Sequence, residues 1–375
     1  MDFRTIKTFF FLSILVYLLF LFNGCSNKIV IPIPEEKIRL WSNPRVNNLN
    51  WGFIEGCLRD TLKLEWTGNI AAVDPTSPTV FDGVVTIGTK DKRILGFDRL
   101  SGKKLFDFWS DIPQIYPPVF EPPLMAYLGM GSGNFLRFVD IRTGKKVYSE
   151  RAGGCNTYPI LYGDTATVFT LKGGIYTLIP YNREFLWIVK LKKPIYAQPA
   201  MRNDTFWVAA EREIFCINRK NILWRKPLSF SPKGYIVLFD GCLVLYSNEG
   251  DIEVISSKDG AELWSSKLNS QPLAPVYTKK LLIIGERSGK INAFQPTTGE
   301  LFWESDLSDV IVADLIGVGE KIVAITFEGD VFLISVENGE KKLIMQLDER
   351  VRSACASDGE RIFISTLTGK LICLR

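Results

Sequence analysis

The chain has 375 residues, of which 46% are hydrophobic and 12% aromatic, so it can form a large core and disorder over most of its length is excluded. Its 45 basic and 41 acidic residues leave a net charge of only +4, which does not indicate a nucleic-acid-binding protein. Histidine is absent, which excludes Ser-His-Asp and Cys-His catalytic sites and c-type haem attachment. We therefore predict a non-enzymatic protein with no catalytic residues, bound metal or cofactor.

The first 24 residues have the pattern of an export signal. Arg4 and Lys7 carry positive charge, and an apolar run of about 14 residues follows, from Phe9 to Phe22. This run has the length of a signal-peptide core and is shorter than the ~20 residues that span a bilayer as a helix. We predict that residues 1–24 are a signal peptide.

Gly24-Cys25-Ser26 follows directly and resembles the lipobox of bacterial lipoproteins. The resemblance implies that Cys25 is lipidated and becomes the mature N-terminus, and Ser26 favours the outer membrane over the inner one. The alternative is an ordinary cleaved signal, or an uncleaved anchor, in which Cys25 has no role. Because Ile31-Pro32-Ile33-Pro34 has the proline spacing of a semi-rigid linker, we interpret residues 25–60 as a lipidated tether.

An internal repeat dominates the rest of the chain. Its spacing is about 39 residues, which is typical of a β-propeller blade. Tyr148 stands at the midpoint of one double gap, and Ile344 marks a degenerate copy. The tryptophans that mark the other copies are Trp66, Trp109, Trp187, Trp224, Trp264 and Trp303.

One copy, residues 280–303, shows how each repeat folds. The apolar run Leu281–Ile284 is followed by a turn at Gly289, the alternating segment Ile291–Phe294, a second turn at Gly299 and a last strand. Short apolar segments separated by glycine turns indicate antiparallel hairpins. A four-stranded sheet cannot bury both faces alone, so we expect the copies to stack around an axis.

The two ends of the repeat array complement each other. The last copy has strands at Arg361–Ser365 and Lys370–Leu374 but no outer strand, whereas Thr61–Trp66 is an outer strand without preceding partners. Joining them would pair edges that are otherwise exposed. We therefore predict an all-β fold over residues 61–375: an eight-bladed propeller of four-stranded antiparallel blades, closed by the N-terminal outer strand.

The glycine turn, the short alternating strand and the final tryptophan resemble the quinoprotein-type (PQQ-like) β-propeller repeat, from about residue 61 to the end. Together with the lipobox, they resemble the BamB-type lipoproteins of the outer-membrane β-barrel assembly machinery. The resemblance implies a non-enzymatic scaffold on the periplasmic side of the outer membrane. Such a scaffold, a monomer within a complex, binds the barrel-assembly protein and helps to deliver unfolded outer-membrane proteins.

Two other functions remain open. One is a ligand-binding or sensory propeller of the cell envelope. The other is a quinoprotein dehydrogenase, in which the resemblance implies a quinone, a calcium ion and commonly a ring formed by adjacent cysteines. The seven cysteines here include no adjacent pair, which argues against the dehydrogenase.

Loops between blades are the candidate binding surface, because propeller rims carry such loops. Two of them, Lys192–Tyr196 and Pro227–Lys233, combine apolar anchors with positive charge, which suits protein docking. Their alternative role is local packing. A third segment, Tyr116–Pro123, either presents Phe120 to a partner or covers a blade. The predicted partner-binding residues are Lys193, Ile195, Tyr196, Phe230 and Lys233.

Overall fold

The computed structural model describes residues 41–129, 135–151 and 153–375, so the predicted signal peptide and Cys25 lie outside the described residues. All regular elements in these ranges are β-strands, and no helix there is long and apolar enough to cross a membrane. The strands are β1 (Phe53–Ile54), β2 (Leu64–Asn69), β3 (Thr79–Phe81), β4 (Val84–Gly88), β5 (Arg93–Asp98), β6 (Lys104–Trp109), β7 (Val119–Glu121), β8 (Leu124–Leu128), β9 (Phe135–Asp140), β10 (Lys145–Arg151), β11 (Ile160–Tyr162), β12 (Thr165–Phe169), β13 (Gly174–Ile179), β14 (Glu184–Lys190), β15 (Ala200–Arg202), β16 (Thr205–Ala210), β17 (Glu213–Asn218), β18 (Asn221–Pro227), β19 (Val237–Phe239), β20 (Cys242–Tyr246), β21 (Asp251–Ser256), β22 (Glu262–Lys267), β23 (Val276–Tyr277), β24 (Leu282–Gly285), β25 (Lys290–Phe294), β26 (Leu301–Asp306), β27 (Ile316–Val318), β28 (Lys321–Ile325), β29 (Asp330–Ser335), β30 (Lys341–Gln346), β31 (Ala356–Ser357), β32 (Ile362–Ser365) and β33 (Lys370–Leu374).

These strands form eight sheets, which confirms the predicted eight-bladed propeller. Blade 1 contains β3–β6, and each following group of four consecutive strands forms the next blade, up to β27–β30 in blade 7. Blade 7 also holds β1, which pairs in parallel with β27 as a fifth strand. Within a blade the first strand is innermost and the fourth is the outer edge.

Blade 8 closes the ring as predicted. Its first three strands are β31–β33 from the end of the chain, and its outer strand is β2, which pairs antiparallel with β33. Trp66 lies opposite Cys373 in this register. The closing contact therefore joins residues about 300 positions apart, and neither half of blade 8 has a complete sheet without the other.

The apolar core lies between adjacent blades, because each sheet has apolar side chains on both faces. Between blades 6 and 7, for example, Ile283 and Ile291 share a buried cluster with Ile322 and Ile334. The outer strands are the least buried of each sheet, and β14 and β18 are mostly exposed. The core is thus a ring of interblade layers.

In several of these layers a tryptophan near the outer edge, called here the wedge residue, packs against a turn of the next blade. Trp303 of blade 6 lies against Gly339 of blade 7 and donates its indole N–H to the Val336 carbonyl at 2.9 Å. Gly339 has a φ of 72°, and a Cβ there would lie 2.5 Å from the Trp303 ring. Trp264 of blade 5 makes the same contact with blade 6, where its indole N–H donates to the Pro296 carbonyl at 2.9 Å. The turn glycine of the repeat is therefore required by both the backbone and the indole ring.

In blade 1 the wedge residue is not the tryptophan that marks this copy in the sequence. Each outer strand has a bulge, and the residue after the bulge of β6 is Phe106, which is buried, whereas Trp109 is 59% exposed. Phe106 lies three residues before Trp109, so the tryptophan falls beyond the wedge position. In blade 7 the bulge lies at Ile344, and both Ile344 and Met345 are partly buried against the adjoining cluster.

The predicted tether needs a correction for its described part. Residues 41–57, called here the inner belt, run around the inner edges of the blades instead of spacing the domain from a membrane. Their backbone bonds follow the order of the ring: Trp41 pairs with Val80, and Ser42, Asn48, Leu49, Trp51 and Gly52 accept the amides of Phe120, Met201, Leu238, Tyr277 and Gly317, while Cys57 donates to Gly359.

Two belt side chains fill the axis of the propeller. Arg45 is fully buried and donates to the carbonyls of Leu315 at 3.0 Å and Pro275 at 2.5 Å, in blades 7 and 6. Asn50 donates to carbonyls of blades 4 and 5 at 3.0 and 2.9 Å. Gly52 has a φ of 62°, and a Cβ there would lie 2.0 Å from the Arg45 guanidinium. The belt is thus part of the propeller, because it satisfies inner-strand groups that would otherwise line an open channel.

Candidate partner-binding surface

The two predicted loops lie next to each other on one face of the ring. Loop 192–196 connects β14 to β15, and loop 227–233 connects β18 to β19. Inner strands start from these connections, and backbone bonds of the last belt residues reach the turns in which β27 and β31 end. We call the face formed by these connections the loop face, and the opposite one the belt face.

Tyr196 and Lys233 meet across the two loops. The Lys233 ammonium nitrogen lies 3.7 Å from the centre of the Tyr196 ring, so the two form a cation–π pair, and both side chains are half-buried. Lys193 is more exposed and pairs with Glu213 of blade 4 at 2.8 Å. These three predicted residues therefore form one continuous surface over blades 3 to 5.

Ile195 and Phe230 have a different position. Ile195 is fully buried and its backbone bridges Ala210, while Phe230 is 8% exposed and belongs to the cluster between blades 4 and 5. These two side chains anchor the loops in the core, which matches the alternative of local packing. The polar and aromatic parts of the loops remain available to a partner.

The third segment covers a blade and does not project from it. Phe120 lies in β7, is 4% exposed and stacks on Phe81 of blade 1 with ring centres 5.3 Å apart. Its amide donates to Ser42 of the inner belt. Phe120 is therefore held from two sides and does not reach a partner on the loop face.

One sector of the ring is strongly basic, although the net charge of the whole chain is small. Residues 183–226, which span the outer strand of blade 3 and all of blade 4, contain ten Lys and Arg but only four Asp and Glu. This excess is larger than the net charge of the entire chain, which is +4. A charge count for each blade would have found this basic sector from the sequence. The sector includes Lys193 and lies close in sequence to Lys233, so the surface suits an acidic partner.

Four buried thiol and phenol groups in the described part of the chain have raised pKa values. Burial raises the pKa of the Cys155 thiol to about 12 and that of Cys355 to about 12. Burial also raises the pKa of the Tyr116 hydroxyl to about 12, and that of Tyr158 well above its ordinary value. All four groups stay protonated at neutral pH, so they act as packing and hydrogen-bonding groups.

The residues at the axis do not fit a quinone with a calcium ion. The side chains of Arg45 and Asn50 bind blades 4 to 7 there, and Tyr158 donates to Asn50 at 3.2 Å. Calcium requires several oxygen ligands, usually carboxylates. In the described ranges, no group of three or more His, Cys, Asp or Glu residues is placed to hold a metal ion.

Comparison with known proteins relates this propeller to one protein family. The family model described as "Outer membrane protein assembly factor BamB" matches residues 171–375. Among curated proteins, the outer membrane protein assembly factor BamB of Yersinia pestis is 20% identical over 174 residues. That match covers 41% of this chain and 43% of the relative, so the chain matches less than half of the relative's length.

Solved structures share the fold. The crystal structure of BamB from Moraxella catarrhalis superimposes with a TM-score of 0.70 at 14% identity, over 84% of this chain and 99% of that one. A quinohemoprotein alcohol dehydrogenase from Pseudomonas putida superimposes with a TM-score of 0.73 at 10% identity, over 93% of this chain and 82% of that one. An assembly factor and a dehydrogenase thus share the ring, so function has to be argued from the surface.

Proposed function

Because the chain belongs to the family of outer membrane protein assembly factor BamB, we propose that it is a non-enzymatic scaffold that assists the assembly of β-barrel proteins in the outer membrane. Its partners are the barrel-assembly protein and unfolded outer-membrane proteins. It acts as a monomer within that complex, on the periplasmic side of the membrane.

The observation that carries this proposal is the contact between Tyr196 and Lys233 on the loop face. It joins two loops from different blades into one surface of aromatic and basic character. Ile195 and Phe230 fix both loops in the core, so this surface is preorganised and a partner does not have to order it on binding. Aromatic and cationic side chains held in this way are typical of binding hot spots.

Attachment to the membrane is part of the same proposal. A lipid on Cys25 would hold the protein at the outer membrane after removal of residues 1–24. The described part of the chain begins at Trp41, which pairs with Val80 in the inner strand of blade 1. The loop face with Tyr196 would then contact periplasmic domains of a partner.

A crosslinking capture from native membranes tests the proposal. We expect the tagged full-length protein to recover the barrel-assembly protein, and Tyr196→Glu to lose most of that recovery because a carboxylate replaces the aromatic surface. The matched control is Tyr162→Glu, since Tyr162 is 48% exposed and lies at the end of β11 next to the belt face. If both variants recover the barrel-assembly protein equally well, the scaffold role stands but the loop face is not the surface that binds this partner.

A ligand-binding or sensory propeller is the second candidate, and one feature favours it. A cleft of about 430 Å³ lies on the belt face between the inner belt and blades 2 to 4, lined by Asn43, Asn47 and Arg202 among others. If the capture recovers no assembly component while other envelope complexes are recovered, the scaffold proposal fails and this cleft becomes the site to study.

A further inference from the structure

The joint between blades 2 and 3 lacks the usual tryptophan wedge. Tyr148 occupies the wedge position and stacks on Phe138 of its own blade, with ring centres 6.2 Å apart. The turn that would receive a wedge, residues 180–183, contains no glycine. A polar contact replaces the wedge, because Tyr181 in this turn donates to Asp140 of blade 2 at 2.7 Å.

An apolar cleft of about 250 Å³ opens at the outer part of this joint. Leu136 of blade 2 forms one wall, and Tyr176, Phe185 and Ile188 of blade 3 form the other. Phe185 and Ile188 belong to β14, the outer strand of blade 3, so the cleft runs along a sheet edge. An apolar side chain of a second strand lying on that edge would enter the cleft.

The β14 edge is also the most apolar outer edge in the described ring. Phe185, Leu186 and Ile188 are 44%, 45% and 48% exposed, whereas β22 exposes only Leu263 among its large apolar residues. No charged residue interrupts β14 between its two terminal residues. β13 is its one sheet partner. Proteins normally protect such an edge with charges, so an open apolar edge indicates pairing with another strand.

Positive charge surrounds this edge. Arg151 and Lys172 line the cleft beside a single acid, Glu150. Lys190 ends β14, and the basic sector of residues 183–226 continues from it. An incoming strand is therefore favoured when its polar positions carry acidic side chains.

We propose that β14 and the adjoining cleft bind an extended polypeptide with alternating apolar and acidic or neutral polar residues, which adds to blade 3 as a fifth strand. Main-chain hydrogen bonds supply the affinity and the cleft selects one apolar side chain. Blade 7 already has a fifth strand at its inner edge, where β1 pairs in parallel with β27. This inference rests on the proposed function, since strands of outer-membrane barrels alternate in this way before they fold.

The test is the binding of a fluorescein-labelled peptide of ten residues, alternating Leu or Val with Glu or Thr, to the full-length protein by fluorescence anisotropy. We expect Ile188→Glu to weaken binding by at least about tenfold, since it puts a carboxylate into the cleft. The control is Phe302→Glu on β26, where Phe302 is 64% exposed, and it should bind the peptide like the unchanged protein. Both residues are exposed, so matched melting temperatures establish that both variants are folded.

A second peptide separates strand pairing from simple apolar adhesion. Methylation of alternate backbone amides removes the donors that a strand would share with β14, and it should abolish binding. The inference is overturned if the methylated peptide binds equally well, if a Lys-containing peptide binds as tightly as the Glu-containing one, or if Ile188→Glu has no effect. Capture of the assembly protein through Tyr196 is scored separately, so a failure of this inference and a failure of the proposed function can be told apart.

Discussion

Replacing Arg361 with methionine is expected to lower the free energy of unfolding by about 3–5 kcal/mol, because it breaks a buried ion-pair network at the closure of the ring. Arg361 is 5% exposed, and its Nε donates to Glu65 of the N-terminal strand β2 at 2.6 Å. It also pairs with Asp358 at 3.3 Å, and Asp358 in turn pairs with Arg99 of blade 1 at 3.1 Å. The Arg361 side chain thus connects the N-terminal strand β2 to the C-terminal strands of blade 8.

Urea unfolding followed by tryptophan fluorescence measures this effect. The control is Arg350→Met, because Arg350 and Glu328 form an ion pair in which both side chains are about 60% exposed. Such exposed pairs contribute roughly 0–1 kcal/mol. A loss of stability no larger for Arg361→Met than for Arg350→Met would mean that strand pairing alone, and not the charge network, closes the ring.

Removal of the belt arginine should have the second largest effect. In Arg45→Met, the carbonyls of Leu315 and Pro275 lose their donor inside the protein, at a cost of about 1–3 kcal/mol for each unsatisfied group. The cation–π contact with Tyr235, at 5.5 Å, is lost as well. We therefore expect a lower melting temperature and new protease cleavage within residues 41–57.

The matched control for the belt is Arg59→Met, since Arg59 is exposed just beyond it. This variant should melt like the unchanged protein and keep the belt protected. If Arg45→Met leaves both the melting temperature and the cleavage pattern unchanged, the belt does not stabilise the propeller. The folded domain would then begin at residue 61, as predicted from the sequence.

Repetition made most of the fold predictable from sequence. Most copies carry turn glycines and a large side chain near the end of the outer strand, so the eight blades follow from one repeated physical pattern. Closure followed from two incomplete copies that fit each other, Thr61–Trp66 and Lys370–Leu374. The wedge of blade 1 was not predictable from its tryptophan, because Phe106, three residues before Trp109, takes that position.

The inner belt was not predictable, because it has no periodic pattern. Its polar stretch Asn47–Asn50 is typical of a loop, and its bonds go to backbone amides and carbonyls of distant strands. Backbone groups are the same for every residue type, so the strand sequences do not indicate these bonds. The candidate surface was predictable in part. Tyr196 and Lys233 were identified, but their contact, and the burial of Ile195 and Phe230, depend on how neighbouring blades meet.

Site-specific photocrosslinking in living cells tests the proposed role most directly. A photoreactive phenylalanine is placed at position 196 on the loop face or at position 162 next to the belt face, and the crosslinked proteins are identified by mass spectrometry. We expect a crosslink to the barrel-assembly protein from position 196 and none from position 162. Crosslinks to that protein from position 162 alone, or from neither position, would show that the loop face is not the docking surface.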